Sequence, residues 1–212
     1  MEPYLIAIAG PSGSGKSALA GRVTQLLDGA CAVVELDSYY HPQPGLSLEE
    51  RAHCNYDHPD ALDWDLLESH LRALLAGQPI DAPIYLFDQH TRADATSSVA
   101  PQPYVILEGI LALHHPAIRA AAGLKTFVTA SSAECFRRRM ERDVAERGRT
   151  RESVRDQYNS TVWPMALSYV LPTEQYADLV VSGEAELEAS ALAVIERVAR
   201  RSQRTHGGAQ GR

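Results

Sequence analysis

Apolar positions along this chain fall into two rhythms, short continuous runs and helical stripes, and the two alternate. Tyr4–Ala9 is a short run that predicts a buried strand, and Ala18, Leu19, Val23, Leu26 and Leu27 then recur at helical spacing. Four more runs, Ala32–Leu36, Tyr104–Leu107, Thr126–Thr129 and Leu179–Val181, predict further strands with helical patterns between them. This alternation specifies a three-layer α/β fold, a parallel five-stranded sheet with helices on both faces.

Two connections break the rhythm. The second and third strands are separated by far more chain than one crossover helix needs. This excursion, 38–103, predicts a helix capped by Asp63 with Leu66, Leu67, Leu71, Leu74 and Leu75 on its apolar face. Extended stretches follow at Ile80–Phe87 and His90–Val99, spaced to pair as a hairpin. The second departure is an arginine-rich segment, 134–171, helical in pattern and interrupted at Gly148 and Pro164. Together these predict one domain over 1–200, with a disordered polar tail at 201–212.

Composition narrows the class. With 212 residues, 45 % of them apolar, the chain can bury ~70 % of its unfolded surface in one core. A net charge of −7 argues against a nucleic-acid binder, whose footprint is basic. Positive charge is nevertheless concentrated: Arg137, Arg138, Arg139, Arg142, Arg147, Arg149, Arg151 and Arg155 crowd one stretch, which suits a small anionic ligand. Cys31, Cys54 and Cys135 are odd in number and lack metal spacing, so they read as reduced thiols of a cytoplasmic protein. No apolar run approaches the ~20 residues of a membrane span. The N-terminus enters a strand directly, with no secretory signal in view.

The chemistry begins at Gly10-Pro11-Ser12-Gly13-Ser14-Gly15-Lys16-Ser17, which fits G-x-x-x-x-G-K-[ST] between a strand and a helix. Such a loop wraps backbone N–H groups around the phosphates of ATP, its lysine reaches the outer phosphates, and its serine hydroxyl ligates Mg²⁺. A plain Gly/Ser turn is the alternative. Against it, the chain holds only Lys16 and Lys125 as lysines, and one of them stands at the phosphate-binding position.

Two more strands end in acids, Asp37 after the second and Glu108 after the third. In a parallel sheet these ends share one edge, where ligands of open α/β sheets bind. Singly, either acid reads as a helix cap or turn residue; together beside a phosphate loop they point to Mg²⁺ and activation of a substrate hydroxyl. The arginine segment has two readings. It is a solvated helix face paired with Glu141, Asp143, Glu146 and Glu152, or a basic lid that closes over the phosphates. The lid is preferred, with Arg137 and Arg138 as surface residues.

Asp37-Ser38-Tyr39-Tyr40, the block Asn55-Tyr56-Asp57-His58-Pro59-Asp60-Ala61-Leu62-Asp63, and Pro83–Phe87 with His90 and Arg92 resemble the uridine kinase (uridine–cytidine kinase) family. So do Glu108–Leu111, Arg142–Arg149, Gln157-Tyr158 and Tyr176-Ala177-Asp178, in family order up to Gly183. The resemblance implies a P-loop kinase fold and transfer of the γ-phosphoryl group of ATP to the 5′-hydroxyl of uridine or cytidine. It implies Asp37 as catalytic base, Lys16, Arg142 and Arg147 at the transferring phosphate, and Ser17, Asp37 and Glu108 around Mg²⁺. Asp57, Arg139 and Gln157 match positions that hold the ribose hydroxyls. Tyr85, His90 and Arg149 match contacts to the pyrimidine, with Tyr40, Tyr56 and Phe87 as apolar walls. Glu186 matches the adenine-side loop loosely. A homo-oligomer is left open by the same resemblance.

Leu86 replaces an acidic residue usual between the two aromatics, and Thr129–Cys135 lack the usual acids and arginine. Another kinase of this architecture, acting on a pantothenate, a sugar phosphate or a riboside analogue, is the nearest rival. A GTPase needs an Asn-Lys-x-Asp guanine reader, and neither lysine follows an asparagine. A silent nucleotide-binding module is opposed by the joint presence of Lys16, Ser17, Asp37 and Glu108.

Overall fold

The computed structural model describes residues 3–207. Strand β1 (Tyr4–Ala9) lies at the centre of a parallel sheet in the order β2 (Cys31–Glu35), β5 (Tyr104–Glu108), β1, β6 (Leu124–Thr129), β7 (Leu179–Ser182). The five expected strands are these, with ends shifted by at most two residues. Strand periodicity divides the core between two faces. Leu5, Ala7 and Ala9 of β1 with Val105 and Leu107 of β5 face one apolar cluster, while Ile6, Ile8 and Ile106 face the other. The second face is covered by α1 (Lys16–Leu26) and the last helix, and the first by the excursion and the end of the arginine segment.

Within the excursion, α2 (Leu48–Ala52) starts on a capping box between Ser47 and Glu50. Helix α3 (Trp64–Leu75) begins where the Asp63 carboxylate accepts from the Leu66 amide, as its sequence predicts. It buries Leu67, Leu71 and Leu74. A separate two-stranded ribbon follows, β3 (Ile80–Leu86) antiparallel to β4 (Thr91–Val99), its register shifting between Pro83 and Tyr85. The ribbon's turn carries Phe87, Asp88 and His90, the last with φ of 49°. Arg92 anchors the ribbon, reaching the Asp63 carboxylate at 3.1 Å and the Tyr39 carbonyl at 2.9 Å.

Beyond β5, α4 (Pro116–Ala121) leads to β6 and then α5 (Ser132–Ala145), which carries the first arginines. Gly148, with φ of 62°, breaks the helix as expected. Pro164 does not. From α6 (Arg151–Gln157) the chain stays helical through a π turn (Tyr158–Val162), the short α7 (Trp163–Met165) and a second π turn (Ala166–Val170). A π turn takes up an extra residue, and two of them flanking Pro164 accommodate its ring and its missing N–H without ending the helix. The final helix, α8 (Leu187–Gly207), takes up the first part of the segment expected to be a disordered tail, and the rest lies outside the described residues.

Candidate active site

The phosphate loop, Asp37 and Glu108 gather at the C-terminal edge of the sheet. The loop after β1 turns back tightly, with the Ser14 amide bonded to the Pro11 carbonyl at 3.0 Å. Two of its glycines are required sterically. Gly13 has φ of 85° and a Cβ there would lie 2.3 Å from the Cys135 carbonyl oxygen, while Gly15, with φ of 98°, caps α1. Lys16 opens that helix and is 8 % exposed, and the neighbouring Ser17 hydroxyl lies 3.1 Å from both carboxylate oxygens of Glu108.

Burial raises the Glu108 pKa from its ordinary value, with Lys16 opposing the shift and Asp37 adding to it. A hydroxyl and a carboxylate at a phosphate loop are hard oxygen donors, the set that suits Mg²⁺ completed by phosphate and water. These residues therefore fit the ion expected from the sequence.

Asp37 lies on the 3₁₀ turn Leu36–Tyr39 that follows β2. Tyr40 donates its hydroxyl to the Asp37 carboxylate at 3.2 Å, so this side chain is more than the apolar wall its sequence position suggested. Asp37 and Tyr40 open into a cavity of about 220 Å³ that also meets Ser12, Lys16, Tyr56, Asp57, Tyr85, Phe87, His90, Arg139, Arg142, Arg147, Arg149 and Gln157. The structure thus brings the expected acceptor-side residues into one chamber. Asp88 and Ile110 line it too, and sequence reasoning gave them no role.

The chamber has an aromatic side and a charged side. Tyr40, Tyr56 and Tyr85 meet edge to face, with ring centres 5.2–6.2 Å apart, and Tyr85 meets Phe87 likewise at 5.2 Å. His90 stacks on Tyr56 at 5.6 Å, with 15° between the rings. Burial, with Arg149 and Arg147 beside it, lowers the His90 pKa, so its ring is neutral at pH 7. The Tyr85 hydroxyl is buried without a hydrogen bond among the described residues. Opposite, Asp57 is 8 % exposed, and burial raises its pKa while Arg139 pulls it down.

Arg139 ties the chamber to the phosphate loop, bonding the Ser12 hydroxyl at 2.8 Å and the Gln157 side-chain oxygen at 2.9 Å. Arg149 bonds the same Gln157 oxygen. Arg147 lies over the Phe87 ring, 4.4 Å from its centre, joining the arginine segment to the ribbon. Behind these arginines sits Asp143, fully buried, whose carboxylate is within 4 Å of Arg139, Arg142, Arg147 and Arg149. Sequence reasoning counted it only among surface partners. The available signal was the four-residue spacing of Arg139 and Asp143 within α5, with Arg147 four residues further on, just past the helix end.

Arg137 is the surface residue expected, paired with Glu134 and Glu141. Arg138 is not. Its guanidinium bonds the Ser14 and Gly183 carbonyls at 3.3 and 2.9 Å, pinning the phosphate loop to the turn after β7. That turn borders a second cavity of about 310 Å³ between α1, β7 and α8, lined by Ala18, Leu19, Val128, Val181, Ala185 and Leu187 among others. Glu186 does not line it. It is exposed, as are Ala185 and Leu187 on either side of it, although those two border the cavity.

The profile of the phosphoribulokinase / uridine kinase family matches residues 5–188. A uridine kinase of Deinococcus deserti is 47 % identical over 182 residues, covering 85 % of this chain and 88 % of that protein. One of Chloroflexus aggregans is 44 % identical over 183 residues, covering 86 % and 88 %. A phosphoribulokinase from Rhodobacter spheroides, 17 % identical, shares the fold with a TM-score of 0.64 over 85 % of this chain and 70 % of its own. On the match across nearly the whole domain, this chain belongs to the phosphoribulokinase / uridine kinase family.

Proposed function

We propose that this protein transfers the γ-phosphoryl group of ATP to the 5′-hydroxyl of uridine or cytidine, as a pyrimidine-salvage kinase. The observation that carries the reading is the acceptor chamber, where a buried acid, a paired arginine and an amide face a stacked aromatic wall. A ribose presents hydroxyls to Asp57, Arg139 and Gln157, while a flat base fits between the rings with a polar edge toward the unpartnered Tyr85 hydroxyl. Relatives named uridine kinase at 47 % identity support the same reading.

Asp37, oriented by Tyr40, accepts the proton of the attacking hydroxyl. Lys16, Arg142 and Arg147 neutralise charge on the transferring phosphoryl group, where catalysis is mostly positioning and electrostatics. Ser17 and Glu108, with Asp37 nearby, would hold Mg²⁺, which supplies charge neutralisation at the phosphates. The apolar second cavity receives the adenine of ATP, with Arg138 at its rim. The three unpaired cysteines suit a reducing, cytoplasmic setting.

A coupled assay with ATP·Mg²⁺ and a panel of nucleosides tests the reading. ADP formation that depends on uridine and cytidine is expected. No ADP formation with either, from folded protein, overturns it.

A further inference from the structure

Asp143 is buried completely, yet it touches neither proposed substrate site directly. Its two carboxylate oxygens divide the arginines. Oδ1 takes Arg142 at 2.9 Å and Arg147 at 3.6 Å, of which Arg142 also borders the space beside Lys16 and Ser17 of the phosphate loop while Arg147 lies over Phe87. Oδ2 lies 3.4 Å from Arg139 and 3.9 Å from Arg149, the pair that shares Gln157 on the nucleoside side. Asp143 also holds the loop through its backbone, since its carbonyl accepts the Arg149 amide at 3.1 Å across the Gly148 turn.

Four guanidinium groups converging on one space repel each other, and an acid at their centre offsets that repulsion. Only the Oδ1 side is held by a well-directed hydrogen bond, from Arg142 at 3.0 Å. Oδ2 makes none, so Arg139 and Arg149 are held there by charge. Both pairs thus share one negative charge, so moving either pair changes the electrostatic attraction felt by the other.

We propose that Asp143 is a positioning residue, the internal counter-ion that docks the lid arginines before substrates arrive and couples the grip on the phosphate donor to the grip on the nucleoside. The inference rests on the nucleoside-kinase reading for the identity of the two grips. The docking itself depends only on the arrangement of the arginines around the acid.

Two measurements test it. Calorimetry gives the affinity of uridine with and without a non-hydrolysable ATP analogue and Mg²⁺, for wild type, Asp143→Asn and Asp143→Glu. Wild type is expected to bind uridine at least about fivefold more tightly with the analogue, within the usual range of coupling between sites. Asp143→Asn, which keeps the shape and removes the charge, should bring that ratio below about twofold, with Asp143→Glu between the two. A role confined to stability would change the melting temperature and leave the ratio alone. A ratio near one in wild type, or a wild-type ratio in Asp143→Asn, overturns the coupling. If Asp143→Asn does not fold, Asp143→Glu decides, a reduced ratio supporting the proposal and an unchanged one overturning it.

Amide hydrogen exchange on the substrate-free proteins provides the second measurement. Arg147–Gln157 should exchange at least about tenfold faster in the folded variant than in wild type, and equal rates overturn the docking role. Wild type that binds no uridine would remove the nucleoside reading, and exchange would still decide whether Asp143 docks the lid.

Discussion

The Tyr40 hydroxyl donates to the Asp37 carboxylate at 3.2 Å, so one oxygen of the proposed base is held by the wall of the chamber it serves. Tyr40 is buried, and burial together with the Asp37 charge keeps its own proton in place. It acts as a fixed donor.

Asp37→Asn is expected to lower turnover by about 10²–10⁴-fold, the usual contribution of a positioned base, while ATP affinity changes little. Tyr40→Phe should cost less, about tenfold in kcat, since the carboxylate survives but loses its alignment. Steady-state kinetics and nucleotide titration check both. An Asp37→Asn enzyme with half of wild-type turnover would remove the assignment.

Arg142→Ala and Arg147→Ala should each reduce kcat more than they raise the KM for uridine. Arginines that stabilise a transferring phosphoryl group are worth up to about 10³–10⁵ in kcat. Arg147→Ala also removes the contact with Phe87, so its nucleoside KM should rise further than that of Arg142→Ala. Two variants with wild-type kinetics would make the segment a solvated helix face.

Asp57 supplies a test of the sugar. A 2′-deoxynucleoside leaves a polar group of the closed chamber without its partner, a loss of about 1–3 kcal/mol. Uridine is expected to exceed 2′-deoxyuridine by tenfold or more in kcat/KM, and Asp57→Ala should narrow that ratio. Equal values for the two substrates on wild type would take Asp57 out of the ribose site.

Stability should fall on mild acidification. His70, His90 and His114 all have pKa values lowered by burial, so below about pH 6.5 the unfolded chain binds protons that the folded chain refuses. Their contribution is present above that pH and lost as the pH falls toward their folded values. Asp57 and Glu108, raised by burial, act with the opposite sign as the pH falls through their own range. Thermal melts at pH 7.5 and 5.5 should show a lower Tm at the acid end, with a smaller drop in His114→Asn. An identical drop in that variant would exclude His114 as a contributor.

The sheet was legible because its strands are continuous apolar runs, and the site edge because three of those runs end in a phosphate loop or an acid. The helix of the excursion was legible from Asp63 and its leucine stripe. Asp143 and Arg138 were not. An acid four residues from an arginine looks the same in sequence on a solvated face and in a closed core, and only packing against the phosphate loop separates the two. Pro164 misled for a related reason, since a π turn leaves no mark on the apolar pattern. Glu186 was matched only loosely, and it stands exposed outside the second cavity that Ala185 and Leu187 border.

The order of the strands has an engineering consequence. Strands β2 and β5 are paired neighbours, from Cys31 beside Tyr104 to Glu35 beside Glu108, and the ribbon with Asp57 and its aromatics is threaded between them. The content of that insertion does not enter the ladder on either side. The ATP half, built on β1, β6, β7, α1 and α8, is hydrogen-bonded without it. Acceptor choice is therefore a cassette. It can be exchanged at seams after Tyr40 and before Tyr104, which leave Asp37 and its tyrosine in place, provided the replacement covers the sheet face now packed by Leu67, Leu71 and Leu74 and offers a partner where Phe87 now meets Arg147.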